Sequence, residues 1–306
     1  MIPPRWAYLA VFIGVCGHAS SEFFAVLSGI SGPEVSVWRY TIGAAGLVIW
    51  AVANPATRDL WTPLRDTWAR LVPYSLIGVS ATYLAFHWAL DFASVIQVAT
   101  VVTTIPIFVG LSNLLVNRAP ISTVKMITGA MAVVGIAILL TDGYLGVLTG
   151  GGNSIFGVLL AILCAALGSW FSVVAKPIIG IYGPVRVTAL ALTIGGAGLY
   201  VIVGLFFGIW VSTDRLYEMT PTAFWSLMAL AILNTTITQV LWFGGLAAAP
   251  DITRASYLFF LKPVIAAVLA IVILSQPLTW LQALAIIVVT GSVFVEILWP
   301  RIAGRA

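Results

Sequence analysis

Apolar residues run along this chain in stretches long enough to cross a lipid bilayer, and polar residues are confined to the short gaps between them. Read with a window of about 19 residues, the pattern predicts ten spans, at 6–28, 35–53, 70–90, 94–117, 121–141, 154–178, 184–209, 221–248, 252–275 and 278–299. About 20 helical residues cover the roughly 30 Å hydrocarbon layer, so each stretch predicts one crossing. Gly32-Pro33, Asn54-Pro55, Asp142-Gly143, the glycines 150–152, Gly183-Pro184 and Ala249-Pro250 punctuate the runs as turn signals. The longest connection, 54–69, alternates Arg58, Asp59, Trp61, Arg65, Asp66 and Trp68, which predicts a short amphipathic segment at headgroup level. The first run continues past Arg5 to Gly29 with no small-x-small cleavage pattern, so it reads as helix one rather than a removable leader.

Composition agrees and narrows the class. With 61% hydrophobic and 8% charged residues among 306, the chain lies far from soluble domains, which run near about 25% charged. The net charge of +4 comes from basic residues scattered singly at the ends of apolar runs. They form no basic stripe, which argues against a nucleic-acid partner and makes them reporters of topology. With both termini cytoplasmic, the inner side receives Arg5, Arg58, Arg65, Arg70, Arg118, Lys125, Lys176, Arg186, Arg254, Arg301 and Arg305, and the outer side only Arg215. Arg39 and Lys262 remain inside spans. Cys16 and Cys164 lie in apolar runs as small core residues, and no metal-ligand spacing joins them to His18 or His87. No cofactor is expected. An intramembrane transferase would need paired carboxylates for a metal-diphosphate or a His-Asp pair, and neither Asp-x-x-x-Asp nor His-x-x-x-x-Asp occurs, so the chain does not read as an enzyme.

Its two halves resemble each other. Pro106 and Pro120 stand 157 residues before Pro263 and Pro277, Gly32-Pro33 stands 151 before Gly183-Pro184, and Thr82 and Phe86 stand 156 before Thr238 and Trp242. The register predicts a five-helix unit used twice, over 1–148 and 149–306. Five is odd, so the second copy enters the membrane upside down. The predicted fold is an all-α polytopic membrane protein, ten transmembrane helices as two inverted five-helix repeats. Inverted repeats can exchange packings around one central site, which points to a transporter by alternating access.

The polar residues inside the spans are the candidate site. Lys262 sits near the middle of its run, where a charge costs roughly 2.5–3.5 kcal/mol on insertion scales. Pro263 beside it lacks an N–H and predicts a bend. Lys262 either faces a cavity and binds substrate, or snorkels or pairs with a carboxylate for structure. Glu22 reads as the only carboxylate deep in a span, and His18, four residues earlier, shares its helix face. The pair either couples transport to protons, or Glu22 neutralises Lys262 or Arg39 to close the structure. Further groups come from helix three (Ser80, Thr82, Tyr83, His87), helix four (Gln97, Thr100, Thr103, Thr104), helix six (Ser169, Trp170, Ser172), helix eight (Asn234, Thr235, Thr236, Thr238, Gln239, Trp242) and helix nine (Tyr257, Phe259). Together with Lys262, Glu22 and His18 they predict a polar cavity with aromatic walls. Lys262 suits a carboxylate, Glu22 or freed carbonyls an ammonium, and the rings of Trp170, Trp242, Tyr83 and Phe259 an apolar side chain. Spans five and ten read as packing helices, their Gly129, Ala130, Gly135, Thr290 and Gly291 serving a monomer or a homodimer contact.

The chain resembles the drug/metabolite transporter superfamily, whose ten-helix members carry two exporter repeats of the EamA type, and within it the bacterial exporters of amino acids, aromatic ones included. The resemblance rests on Trp38-Arg39-Tyr40 early in helix two, on Val101 to Pro106 with Pro120 fourteen residues later, and on Leu258 to Pro263 followed by Ala266, Ala267 and Ala270. Where the family has a Gly-Glu pair leading into helices five and ten, this chain has Asn117-Arg118 and Ser275-Gln276. No role for those glutamates carries over. The resemblance implies a multi-pass protein of the bacterial inner membrane that exports small polar or amphipathic metabolites.

Overall fold

The computed structural model describes residues 2–141, 152–274 and 279–302. Asp142-Gly143, Gly150, Gly151, Ser275-Gln276 and Pro277, used above as turn, motif and repeat markers, lie outside the described residues. Among the described residues every regular element is helical. Seven helices are long and apolar enough to cross a membrane: Pro4–Leu27, Gly32–Ala53, Gln97–Asn117, Ile155–Tyr182, Pro184–Phe207, Pro221–Ala248 and Trp280–Trp299. Thr123–Ile138 is a shorter apolar helix. The surface is apolar too. Leu115 and Phe206 are each 81% exposed, as expected of side chains that face lipid rather than water.

Several expected spans are divided. The first consists of α1 (Ala7–His18) and α2 (Ser21–Leu27), separated at Ala19-Ser20, so His18 and Glu22 do not sit on one continuous helix. α3 is Gly32–Ala53, and its first N–H, on Gly32, donates to both carboxylate oxygens of Asp91 at 3.1 and 3.2 Å. The expected headgroup segment is instead the start of α4 (Trp61–Ser75), which continues through a π-helical turn at Leu76–Ala81 into α5 (Thr82–Ala89). Trp61 and Trp68 do remain exposed on it. α6 (Val95–Val102) begins at a Ser94 capping box and is separated from α7 (Ile105–Asn117) at Thr103-Thr104, just ahead of Pro106.

α8 is Thr123–Thr141, α9 Gly152–Tyr182 and α10 Pro184–Phe207. After the short α11 (Asp214–Tyr217), α12 (Pro221–Met228) passes through a second π-helical turn, Ala229–Ile237, into α13 (Thr238–Ala248). α14 (Ile252–Ser256) tightens into a 3₁₀ turn, Tyr257–Leu261, before α15 (Lys262–Leu274), and α16 is Trp280–Ile302. The bend expected at Lys262-Pro263 is thus a turn of tighter helix that delivers the lysine at the first residue of α15.

Glycines set the closest helix contacts. A methyl group added to Gly43 of α3 would lie 2.7 Å from Thr235 Cγ2 and 2.9 Å from the Ala231 carbonyl oxygen. Gly135 of α8 meets Val289 of α16 in the same way, at 2.7 Å, so that small residue serves packing within the chain. Such approaches let backbones pack where lipid gives no hydrophobic drive.

Candidate functional site

α1, α2, α3, α5, α6, α7, α9, α13 and the Tyr257–Lys262 segment enclose one space of about 550 Å³, counted with its open mouth. One wall is aromatic. His18 stands edge-on to Trp242 and Phe259 at 5.8 and 5.7 Å, and those two rings are 5.0 Å apart. Lys262 Nζ lies 5.7 Å from the centre of the Phe259 ring, at a distance where a cation gains from the ring's negative face. Lys262 and His18 are 5% and 9% exposed.

Opposite sits Arg39, 1% exposed. Its Nε donates to Thr235 Oγ1 at 2.8 Å, and Nη2 to Ser21 Oγ at 3.4 Å and the Asn234 carbonyl at 3.3 Å. Its Nη1 lies 3.2 Å from His87 Nε2. Arginine only donates, so His87 Nε2 must accept and carries no proton. The ring's hydrogen is then on Nδ1, pointed at Ser36 Oγ 2.8 Å away, and the Ser36 hydroxyl donates its own hydrogen bond to the Gly32 carbonyl at 2.8 Å. His87, expected as a substrate ligand, therefore faces Arg39 and orients it. The guanidinium also lies 5.4 and 5.7 Å from the Tyr40 and Tyr83 ring centres. Gln239 Nε2 donates to the Tyr83 hydroxyl at 2.6 Å, and that hydroxyl, on a residue of the cavity wall, is also hydrogen-bonded to the neighbouring Tyr40 hydroxyl.

Of the residues expected here, His18, Thr82, Tyr83, Ser172, Trp242, Phe259 and Lys262 line this space. Glu22's side chain lies outside the described residues. Asn234 and Gln239 stand one layer back, the first bonded through its amide to the Gly17 carbonyl and Ser20 Oγ at the break in helix one, the second to Tyr83. Others lie elsewhere. Trp170 packs edge-on against Tyr74 at 5.2 Å, Thr100 is not among the lining residues, and the Tyr257 hydroxyl bonds the Lys125 carbonyl. On α9 the cavity face is Cys164, Gly168 and Ser172, so of the three groups expected from this helix Ser172 lines the space and Ser169 and Trp170 do not. Cys164, Gly168 and Ser172 recur every four residues, a stripe of small side chains that the sequence carries openly. Arg39, Ser21 and Phe86 also belong to the lining. Arg39 was visible as the second charge inside a span.

An ion cluster closes one end. Lys125 Nζ lies 2.6 Å from Asp251 Oδ2, and Arg254 lies 3.3 Å from Glu296 and 4.0 Å from Asp251. Lys176 Nζ donates to the Ala249 carbonyl at 2.7 Å. Burial alone would raise Asp251's carboxyl, but the Lys125 hydrogen bond and charge and the Arg254 N–H outweigh it and hold it below the usual carboxylate range. Glu296, near the end of α16, is 1% exposed and is a buried carboxylate that the sequence reading did not single out.

Comparison with known proteins places this architecture. A solved crystal structure superposes on the chain with a TM-score of 0.79 at 18% identity, over 98% of this chain and 99% of that one, which shows the fold alone. An uncharacterized transporter of Clostridium kluyveri is 22% identical over 91% of this chain and 85% of its own length. The uncharacterized transporter YvbV of Bacillus subtilis strain 168 is 24% identical over 76% of this chain and 72% of its own. The EamA-like transporter family model matches residues 5–141 and again 155–298, so the chain belongs to that family, within the drug/metabolite transporter superfamily, and is a membrane transporter.

Proposed function

We propose that the chain exports small amphipathic metabolites, neutral and aromatic amino acids foremost, by alternating access around the cavity. In this reading ten crossings form two inverted repeats, 1–148 and 149–306, with both termini in the cytoplasm of a bacterial cell and no chemical step on the substrate. Paired irregularities support the repeat. The π-helical turn at Leu76–Ala81 precedes Thr82 as that at Ala229–Ile237 precedes Thr238, and the interruption ahead of Pro106 matches the 3₁₀ turn ahead of Pro263.

The observation that carries the function is that Arg39 from the first half and Lys262 from the second line one aromatic-walled space. Charges at membrane depth are costly, and a transported ligand is the usual reason for keeping them. The rings of Trp242, Phe259 and Phe86 provide the surface an apolar side chain needs.

The test is flux through sealed proteoliposomes holding only this protein, loaded with L-phenylalanine, L-tryptophan or a phosphorylated sugar. Saturable efflux of the amino acids is expected. Flux of the sugar phosphate without either amino acid would refute the substrate class, and no flux from folded protein with any probe would refute the transport reading.

A further inference from the structure

We propose that Arg39 and the Tyr83 hydroxyl together form the seat for a ligand carboxylate, making the cavity selective for organic acids over the matching alcohols and amines. The proposal deepens the transport reading and rests on it for the cavity's purpose. Its argument begins with a count of donors. A guanidinium has five N–H groups. Four of Arg39's are used, one on Thr235, one toward His87, and two on Ser21 and Asn234, leaving one N–H of Nη1. All of these partners are neutral: two hydroxyls, an imidazole and a carbonyl. Among the described residues no carboxylate lies within 4.0 Å of Arg39.

A structural arginine that only ties helices together would be better served by a carboxylate than by four neutral acceptors, because neutral acceptors satisfy hydrogen bonds without balancing the charge. Here the cation is fixed in place by α2, α3, α5 and the π-helical turn of α12–α13, and its side chain lines the open space. The second donor we assign is the Tyr83 hydroxyl, turned from Tyr40 toward the ligand. Its oxygen accepts from Gln239 Nε2 at 2.6 Å, and its ring centre is 5.7 Å from the Arg39 guanidinium carbon. A charged and a neutral donor on one wall suit the two oxygens of a carboxylate. Phe86, Trp242 and Phe259 give the acid's hydrocarbon part an apolar wall, and Lys262 on the same lining adds positive charge that favours an anion.

The experiment measures binding, separately from flux, to the purified full-length protein in nanodiscs. The probes share one skeleton: 3-phenylpropanoate, 3-phenylpropan-1-ol and 3-phenylpropylamine, with benzoate and L-phenylalanine as further carboxylates. Wild type is expected to bind 3-phenylpropanoate at least about tenfold more tightly than the alcohol, and the amine more weakly still. Tyr83→Phe keeps the ring over Arg39 and removes one donor. It should weaken the acid by about tenfold to a hundredfold while leaving the alcohol within about threefold. A tyrosine that merely supports Gln239 would weaken acid and alcohol alike. Arg39→Lys keeps the charge, loses the fork, and should likewise weaken the acid selectively. If neither variant folds, the wild-type ranking of acid, alcohol and amine decides alone.

Equal binding of acid and alcohol by wild type, equal losses for both in the variants, or no binding of any of the three carboxylates by folded wild type would each overturn the proposal. Carboxylate binding without flux would leave the seat standing and remove the transport reading. Flux of amines without acid binding would do the reverse.

Discussion

Neutralising Asp251 should open the end of the molecule that the ion cluster closes. Asp251→Asn keeps the side-chain volume and the oxygen that caps Arg254's N–H at 3.0 Å, and removes only the charge paired with Lys125. That pair is 2.6 Å long with the side chains 11% and 27% exposed. It falls between exposed pairs, worth about 0.2–1 kcal/mol, and buried ones, whose breaking costs about 3–5. A value of about 1–3 kcal/mol follows. Lys125 lies in the first family match and Asp251 in the second, so the pair joins the two halves across that end. If the halves part there during transport, losing the pair should raise the open-to-closed ratio about fivefold to 150-fold. Cys164 lines the cavity at 4% exposure and reports this opening through its rate of alkylation. The measurement uses a Cys16→Ser background and a membrane-impermeant maleimide applied to inside-out vesicles, since the cluster is expected to face the cytoplasm. A rate unchanged within about twofold in a folded but less stable protein would show that the pair only staples the structure.

Lys262→Ala should cut flux by about thirtyfold to several thousandfold, the effect of leaving a buried ligand charge unpaired, and Lys262→Arg should not restore it fully; a stable, fully active alanine variant would remove Lys262 from the site. Asp251's carboxyl is held low in the folded protein, so its stabilisation is complete above the unfolded value of about 3.9 and is lost as pH falls through the lower folded one. The thermal midpoint should therefore drop below about pH 4 by more in wild type than in Asp251→Asn, and parallel curves would contradict this. Gly43→Ala, whose new methyl would lie 2.7 Å from Thr235 Cγ2, should cost about 1–3 kcal/mol and disturb Thr235's hold on Arg39; an unchanged thermal midpoint with unchanged acid binding would refute it.

Hydropathy made most crossings legible because lipid enforces long apolar helices whatever their partners. It missed the divisions within them. The break at Ala19-Ser20 has no proline or glycine at it to mark it, whereas Pro106 and Pro263 announce theirs. Lys262, His18, Trp242, Tyr83 and Phe259 were findable as polar or aromatic groups in spans. Tyr257 and Trp170 are of the same residue types and pack elsewhere, since which face of a helix meets the cavity depends on neighbours that are distant in sequence. Glu296 escaped notice because a carboxylate three residues from the span's end at Trp299 looks solvated until its partner Arg254 arrives from another helix.

The divisions and the site have one physical origin. A regular helix in lipid consumes its own carbonyls and N–H groups, leaving nothing to hold a buried charge. The π-helical turn Ala229–Ile237 changes that: the Thr235 hydroxyl donates back to the Leu230 carbonyl at 2.9 Å while accepting from Arg39 Nε, and the Asn234 carbonyl accepts from Arg39 Nη2. Asn234's side chain in turn satisfies the Gly17 carbonyl left at the end of α1. Each irregularity frees a polar group that another helix uses, and the groups meet at Arg39. Straightening that turn would remove two of the guanidinium's four described partners at once, so the local defect in α12–α13 is what allows a cation to sit at the wall of an apolar cavity.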